Sequence, residues 1–203
     1  MTTAPTSVRS LHEGVVDCGR WLAEHASPSC PGLETIRHRP RAPHGAGVRI
    51  ALLDAPVDLR HPDLAGAQAL CWAGIPGLGL REPTAHGTAC ASLLVGQGVR
   101  QVTGVAPRAS WLVAPVLRAD GTVSDELVAR GVSWATAHDA DILVLPFGRR
   151  RLGRRIATRI RAASAAGVLV VAAAGSLGPE LMTFPGSVSG VVAVTGHDGT
   201  GRC

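Results

Sequence analysis

The sequence predicts an α/β fold: a doubly wound, mostly parallel sheet with helices on both faces. Three observations point there. Short apolar runs recur along the 203 residues, VRIALLD at 48–54, SWLVAPVL at 110–117, DILVLPF at 141–147, VLVVAAAG at 168–175 and GVVAVTG at 190–196. Continuous rather than alternating apolar character marks strands covered on both faces. Segments with helical spacing lie between these runs, the alternation that builds parallel sheets. The first run ends in a carboxylate, Asp54, at the edge where such sheets bind ligands.

Residues 1–47 are broken by Pro and Gly and read as an N-terminal extension. Within it, Leu11, Val15, Cys18 and Leu22 share a helical spacing, so one or two amphipathic turns are expected over 11–26. The folded domain is expected over 48–203. After the strand at 48–54, the small residues Ala89, Ala91 and Ser92 suit a helix over 86–95 buried against the sheet, and Gly87 permits close backbone approach. A strand follows at 110–117. Ser124 is placed to cap a helix through LVARGVSWATAHDA, with Asp125 and Glu126 in its first turn. The strand at 141–147 leads to a helix over 156–166 that Gly167 closes. Strands at 168–175 and 190–196 complete the pattern.

Composition narrows the function. Hydrophobic residues make up 46% and charged residues 17%, which excludes a disordered chain. Aromatic residues are 3% and Tyr is absent, so the core must be Val, Leu, Ile and Ala. The net charge is +5, and every one of the 20 basic residues is Arg. The single basic cluster, Arg149, Arg150, Arg151, Arg154 and Arg155, has no aromatic residues interleaved with it, which argues against a nucleic-acid partner. The cysteines, Cys18, Cys30, Cys71, Cys90 and Cys203, are odd in number and not closely paired. They predict neither a disulfide framework nor a zinc site, and Asp63 apart no metal ligand is expected. No apolar h-region follows Met1, and no apolar run reaches the ~18 residues of a membrane span. A cytoplasmic protein without a membrane partner is expected.

Two residues stand where chemistry is expected. Asp54, at the carboxyl end of the first strand, can orient a histidine and stabilise its protonated form. His86 opens a helix at the same edge of the sheet. Either residue alone reads more readily as structural than as catalytic. Their local sequences, IALLDAPVDLRHPDL and HGTACASLLVG followed by GVAP, change that balance.

These motifs resemble the subtilisin-like serine proteases (subtilases). The Asp motif is similar to VAVIDSGIDxxHPDL and the His motif to HGTHVAGxxxG with GVAP after it. DILVLPFG, LVVAAAGS and FPGSVSGVVAVTGHD resemble the family's substrate strand, oxyanion segment and following strand. The resemblance covers about 48–198, in the family's order. Within the family, DAPVDLRHPDLAGA and the earlier PGLETIR are most similar to the proteases that mature cyanobactin-type ribosomal peptides.

The resemblance implies a serine endopeptidase acting on a peptide or protein in extended conformation. Asp54 would orient His86, the general base, and the backbone of Phe147, Gly148 and Arg149 would pair with substrate. Three departures stand beside it. No GTSMA-like serine motif occurs up to Cys203, Ser176 replaces the oxyanion Asn, and Arg149 replaces a glycine. This chain alone is therefore expected to be inactive, with a second polypeptide as the partner that would complete it. The alternatives are a pseudoprotease that binds an extended peptide without cutting it, or a truncated product without function. The family's serine-bearing helix covers the central strands, so parts of 168–175 and 86–95 are expected to face water. No cofactor is expected. Asp63 matches a position that often ligates calcium, but the loop GQGVRQV at 96–102 is poor in oxygen ligands.

Overall fold

A computed structural model describes residues 44–74, 82–118, 120–151, 153–175 and 181–196. The expectations for 1–43, for Ser176, and for Cys18, Cys30 and Cys203 fall outside these residues.

The sheet has six strands, β1 (Arg49–Asp54), β2 (Ala69–Cys71), β3 (Ser110–Pro115), β4 (Ile142–Leu145), β5 (Leu169–Ala173) and β6 (Val191–Val194). Three helices accompany them, α1 (Ala85–Val95), α2 (Asp125–Ala137) and α3 (Arg154–Ala165). All pairings are parallel, in the order β2-β3-β1-β4-β5-β6. From β1 the chain runs out to the edge strand β2, returns as β3 between β2 and β1, then crosses to β4 and continues outward to β6 on the other side. The winding therefore reverses at β1, and the switch point of the sheet lies at its carboxyl end, where Asp54 stands.

The two faces are read off the period-2 alternation of the strands. Ala51, Leu53, Leu112, Ala114, Leu143, Leu145, Val170 and Ala172 turn toward α2 and α3. Ile50, Leu52, Trp111 and Val113 turn toward α1. The second face is covered unevenly. Over β5 and β6 the residues of matching parity stay open, with Leu169 46%, Val192 48% and Val194 50% exposed, and Leu93 of α1 is 41% exposed. This agrees with the expectation that part of 168–175 and of 86–95 would face water.

β2 was not foreseen. It is a three-residue edge strand with Leu70 exposed, too short for a periodic signal. Trp72 holds it in place: its N–H donates to Val113 O at 2.8 Å, and its ring stacks on Trp134 of α2. Ser124 does occupy the N-cap position of α2, yet its side chain makes no capping hydrogen bond.

Asp63 is 1% exposed in a 3-10 turn, Pro62–Leu64. Its carboxylate accepts the backbone N–H groups of Arg100 (2.6 Å), Gln101 (3.2 Å) and Val102 (3.3 Å). An oxygen pair surrounded by donors is unsuited to calcium, which needs further oxygen ligands where these N–H groups stand. Burial opposes its charge, but these N–H groups, with His61 nearby, outweigh burial and hold its pKa below the usual carboxylate value. The stability this contributes is present above the unfolded-state pKa and is lost as pH falls through the lower folded one. Asp63→Asn is expected to cost about 1.5–3 kcal/mol at neutral pH. The gap to the unsubstituted chain should close on acidification below about pH 4, as chemical denaturation at a series of pH values would show.

Candidate active site

The site is assembled where the β1 end meets the α1 start. Thr84 is the N-cap of α1, and its Oγ1 accepts Gly87 N–H at 3.1 Å. Thr84 N–H also donates to Pro56 O at 2.9 Å, and Asp58 N–H donates to Thr88 Oγ1 at 3.0 Å. These bonds tie the loop after β1 to the first turn of α1. Gly87 completes the fit, since a Cβ there would lie 2.4 Å from Ala55 O and 2.7 Å from Pro56 O.

The outcome is one short contact. His86 Nδ1 lies 2.8 Å from Asp54 Oδ1, with side-chain exposures of 12% and 1%. With its proton on Nδ1 the ring donates to Asp54, which leaves Nε2 as the basic nitrogen. Ala55 N–H donates to the same Oδ1 at 2.6 Å, while Asp54 Oδ2 is buried without a hydrogen-bond partner. A cleft of about 200 Å³ opens beside His86, lined by Ala55, Thr84, Leu117, Arg118, Asp120 and Gly121. Among these residues the one hydroxyl belongs to Thr84, which is committed to the cap.

The structure thus brings Asp54 and His86 together. It places the other sequence-predicted residues as follows. Phe147 is 4% exposed and packs in the core on the α2 and α3 side. Gly148 is pressed against Thr183, whose Oγ1 would lie 2.2 Å from an added Cβ. Arg149 exchanges both main-chain hydrogen bonds with Phe184, at 2.8 and 2.9 Å, and its guanidinium donates to Asp125 and to Arg151 O. Its main-chain groups and its charge are therefore already engaged inside the domain.

Sequence reading missed three features. Thr84 and Thr88 fasten the loop, and a Thr three residues before Gly87 is the available cap signal. Arg118, Asp120 and Gly121 line the cleft: Arg118 N–H donates to Thr122 O at 3.1 Å, and Gly121 takes φ +76. Its Asp-Gly pair is a turn signal. Cys90, one helical turn beyond His86, has its Sγ 4.0 Å from His86 Nδ1.

Residues 45–201 match the family model described as the subtilase family. Thermitase from Thermoactinomyces vulgaris is 31% identical over 157 residues, 76% of this chain and 56% of its own length. A solved structure of the Patellamide maturation protease PatA superposes with TM-score 0.68 at 29% identity, over 78% of this chain and 59% of that one. The Prenylagaramide maturation protease PagA gives TM-score 0.65 at 28% identity, over 80% and 57%. This chain thus spans little more than half the length of these relatives. No described helix is long and apolar enough to cross a membrane.

Proposed function

Since this chain belongs to the subtilase family, we propose that it carries the orienting and proton-transfer half of a serine endopeptidase site, acting on an extended peptide precursor. The single observation that supports this reading is the 2.8 Å contact between buried Asp54 and His86 beside an open cleft. In that role His86 takes the proton of a nucleophilic hydroxyl and passes it to the leaving amine. Asp54 holds the ring and stabilises the imidazolium. The likeness to PatA and PagA supports peptide maturation as the setting.

The nucleophile is not among the described residues that line the cleft. The 203-residue polypeptide is therefore expected to cut no peptide and to resist a fluorophosphonate probe. Stoichiometric labelling that His86→Ala abolishes would overturn this. A second polypeptide carrying a GTSMA-like motif is expected to restore hydrolysis, and His86→Ala should remove it again.

Ser176 favours a second reading, a module that binds extended peptides without cutting them. An oxyanion donor such as the family's Asn contributes roughly a hundred- to thousandfold in rate, and a serine hydroxyl is shorter. Peptide binding that persists without hydrolysis after the second polypeptide is supplied would select this reading. Absence of any peptide binding would remove it.

A further inference from the structure

The outer face of α3 carries a charge that the domain around it does not neutralise. Seven arginines lie between 149 and 161, and no acidic residue occurs from 142 to 179. That local charge exceeds the net +5 of the whole chain, so the remaining sequence is net acidic. Two of the seven are engaged within the fold, Arg149 with Asp125 and Arg155 with Glu126. Glu126 is shared with Arg130 at 2.7 Å, so both carboxylates of α2 are taken. Arg150, Arg151, Arg154, Arg159 and Arg161 are exposed, and among the described residues none of their guanidinium groups has an ion-pair or hydrogen-bond partner. Helical spacing arranges them. Ile156, Ala157, Ile160 and Ala163 bury one side of α3. On the other side Arg154 and Arg161 stand seven residues apart along one edge, and Arg155 and Arg159 four apart along the next, with exposed Thr158 and Ala162 between. A capping role does not account for them. Gly153 occupies the N-cap, and arginines in the first turn face the positive end of the helix dipole.

We propose that this face of α3 docks an acidic segment of the peptide precursor, outside the part that enters the cleft. Guanidinium groups bind carboxylates through paired N–H donors, and five of them here lack any partner in the fold. The 12 residues of α3 make a helix about 18 Å long, enough for roughly five or six residues of extended chain laid along it. No aromatic side chain stands on this face for a base to stack on, and no large apolar one to enter a bilayer. Carboxylates on a polypeptide therefore suit it better than nucleic acid or a lipid surface. Its place in the fold points to the precursor. The chain enters α3 from the carboxyl end of β4, which pairs with β1, so Arg150, Arg151 and Arg154 lie at the sheet edge that holds Asp54 and His86. The attraction for an acidic segment does not depend on the protease reading, whereas the identity of that segment as precursor rests on it. Such rim pairs are individually weak and screened by salt, so the face sets preference and capture rather than chemistry.

The test uses the 203-residue chain and a fluorescein-labelled peptide of alternating Glu and Gly, with its Lys and Gly counterpart as control. Fluorescence anisotropy is expected to report binding of the acidic peptide alone, weakening as salt is raised toward about 0.15 M. Arg150→Gln, Arg154→Gln, Arg159→Gln and Arg161→Gln combined should weaken binding roughly tenfold or more, each pair contributing a factor of about two. Circular dichroism should not change and the denaturation midpoint should not fall, because these four guanidinium groups hold nothing within the fold. Should the combined variant fail to fold, Arg154→Glu alone decides the matter. It suits the helix dipole and should still weaken binding severalfold. Absence of binding, equal affinity for the Lys peptide, or affinity indifferent to these substitutions would overturn the proposal. Displacement of the acidic peptide by duplex DNA or by phosphatidylserine vesicles at a lower concentration of charge than unlabelled peptide requires would also overturn it, giving the face to another class of partner. The fluorophosphonate and hydrolysis results are independent of every one of these outcomes, so failure of the docking face and failure of the protease reading are told apart.

Discussion

Expressed alone, the 203-residue polypeptide should bind an apolar-surface dye while still folded, and it should self-associate. The cause is the α1-side face of β5 and β6. Leu169, Val192 and Val194 share that face and are each about half exposed, with Leu93 of α1 also open. Parallel sheets are ordinarily covered on both faces, and here α2 and α3 cover one while, among the described helices, α1 and the Pro62–Leu64 turn serve the other. A few hundred Å² of open apolar surface at ~25 cal/mol per Å² corresponds to on the order of 10 kcal/mol. That is an upper bound, because an unfolded chain also hides apolar area. It still matches the 5–15 kcal/mol stability typical of a domain. Leu169→Lys combined with Val194→Lys should reduce dye binding and return the chain to a monomer. Neither position is buried, so the cost in stability should stay within the ~1 kcal/mol span of strand propensities. Sedimentation velocity and dye fluorescence would check both. A dye-silent monomer with a sharp thermal transition before any substitution would show that the face is covered.

Gly87→Ala should disrupt the site without touching either of its acid–base groups. The new Cβ would meet Ala55 O at 2.4 Å and Pro56 O at 2.7 Å, and both are backbone atoms that cannot rotate away. Relief requires α1 to withdraw from the loop after β1. That strains the Thr84 and Thr88 hydrogen bonds and lengthens the 2.8 Å contact of His86 with Asp54. Overpacking of this kind costs about 1–3 kcal/mol or more. Two readouts should move together, the denaturation midpoint and the downfield proton signal of a His86 Nδ1–H bonded to Asp54. Gly196→Ala, where nothing lies within 4 Å of the added atom, should leave both unchanged. A Gly87→Ala chain with unaltered midpoint and proton signal would show that the close approach does not set the pair.

The sequence alone predicted the layered fold, five of the six strands and all three helices, the strands from continuous apolar runs and the helices from small residues, helical spacing and capping signals. It also determined that Asp54 ends a strand and that His86 begins a helix. The tertiary structure decided matters that depend on which distant segments meet. β2 exists because β3 and Trp134 receive it, not because three residues specify a strand. Arg149, read from sequence as a residue facing substrate, is held by Asp125 and Phe184 from two other parts of the chain. Asp63, read as the calcium candidate, spends its oxygens on N–H groups from a loop 37–39 residues away. Cys90 joins Asp54 only because the winding reverses at β1 and brings α1 over its end. Periodicity is a property of neighbours along the chain. A partner for a charge or for a backbone donor is a property of the packing, and no local pattern encodes it.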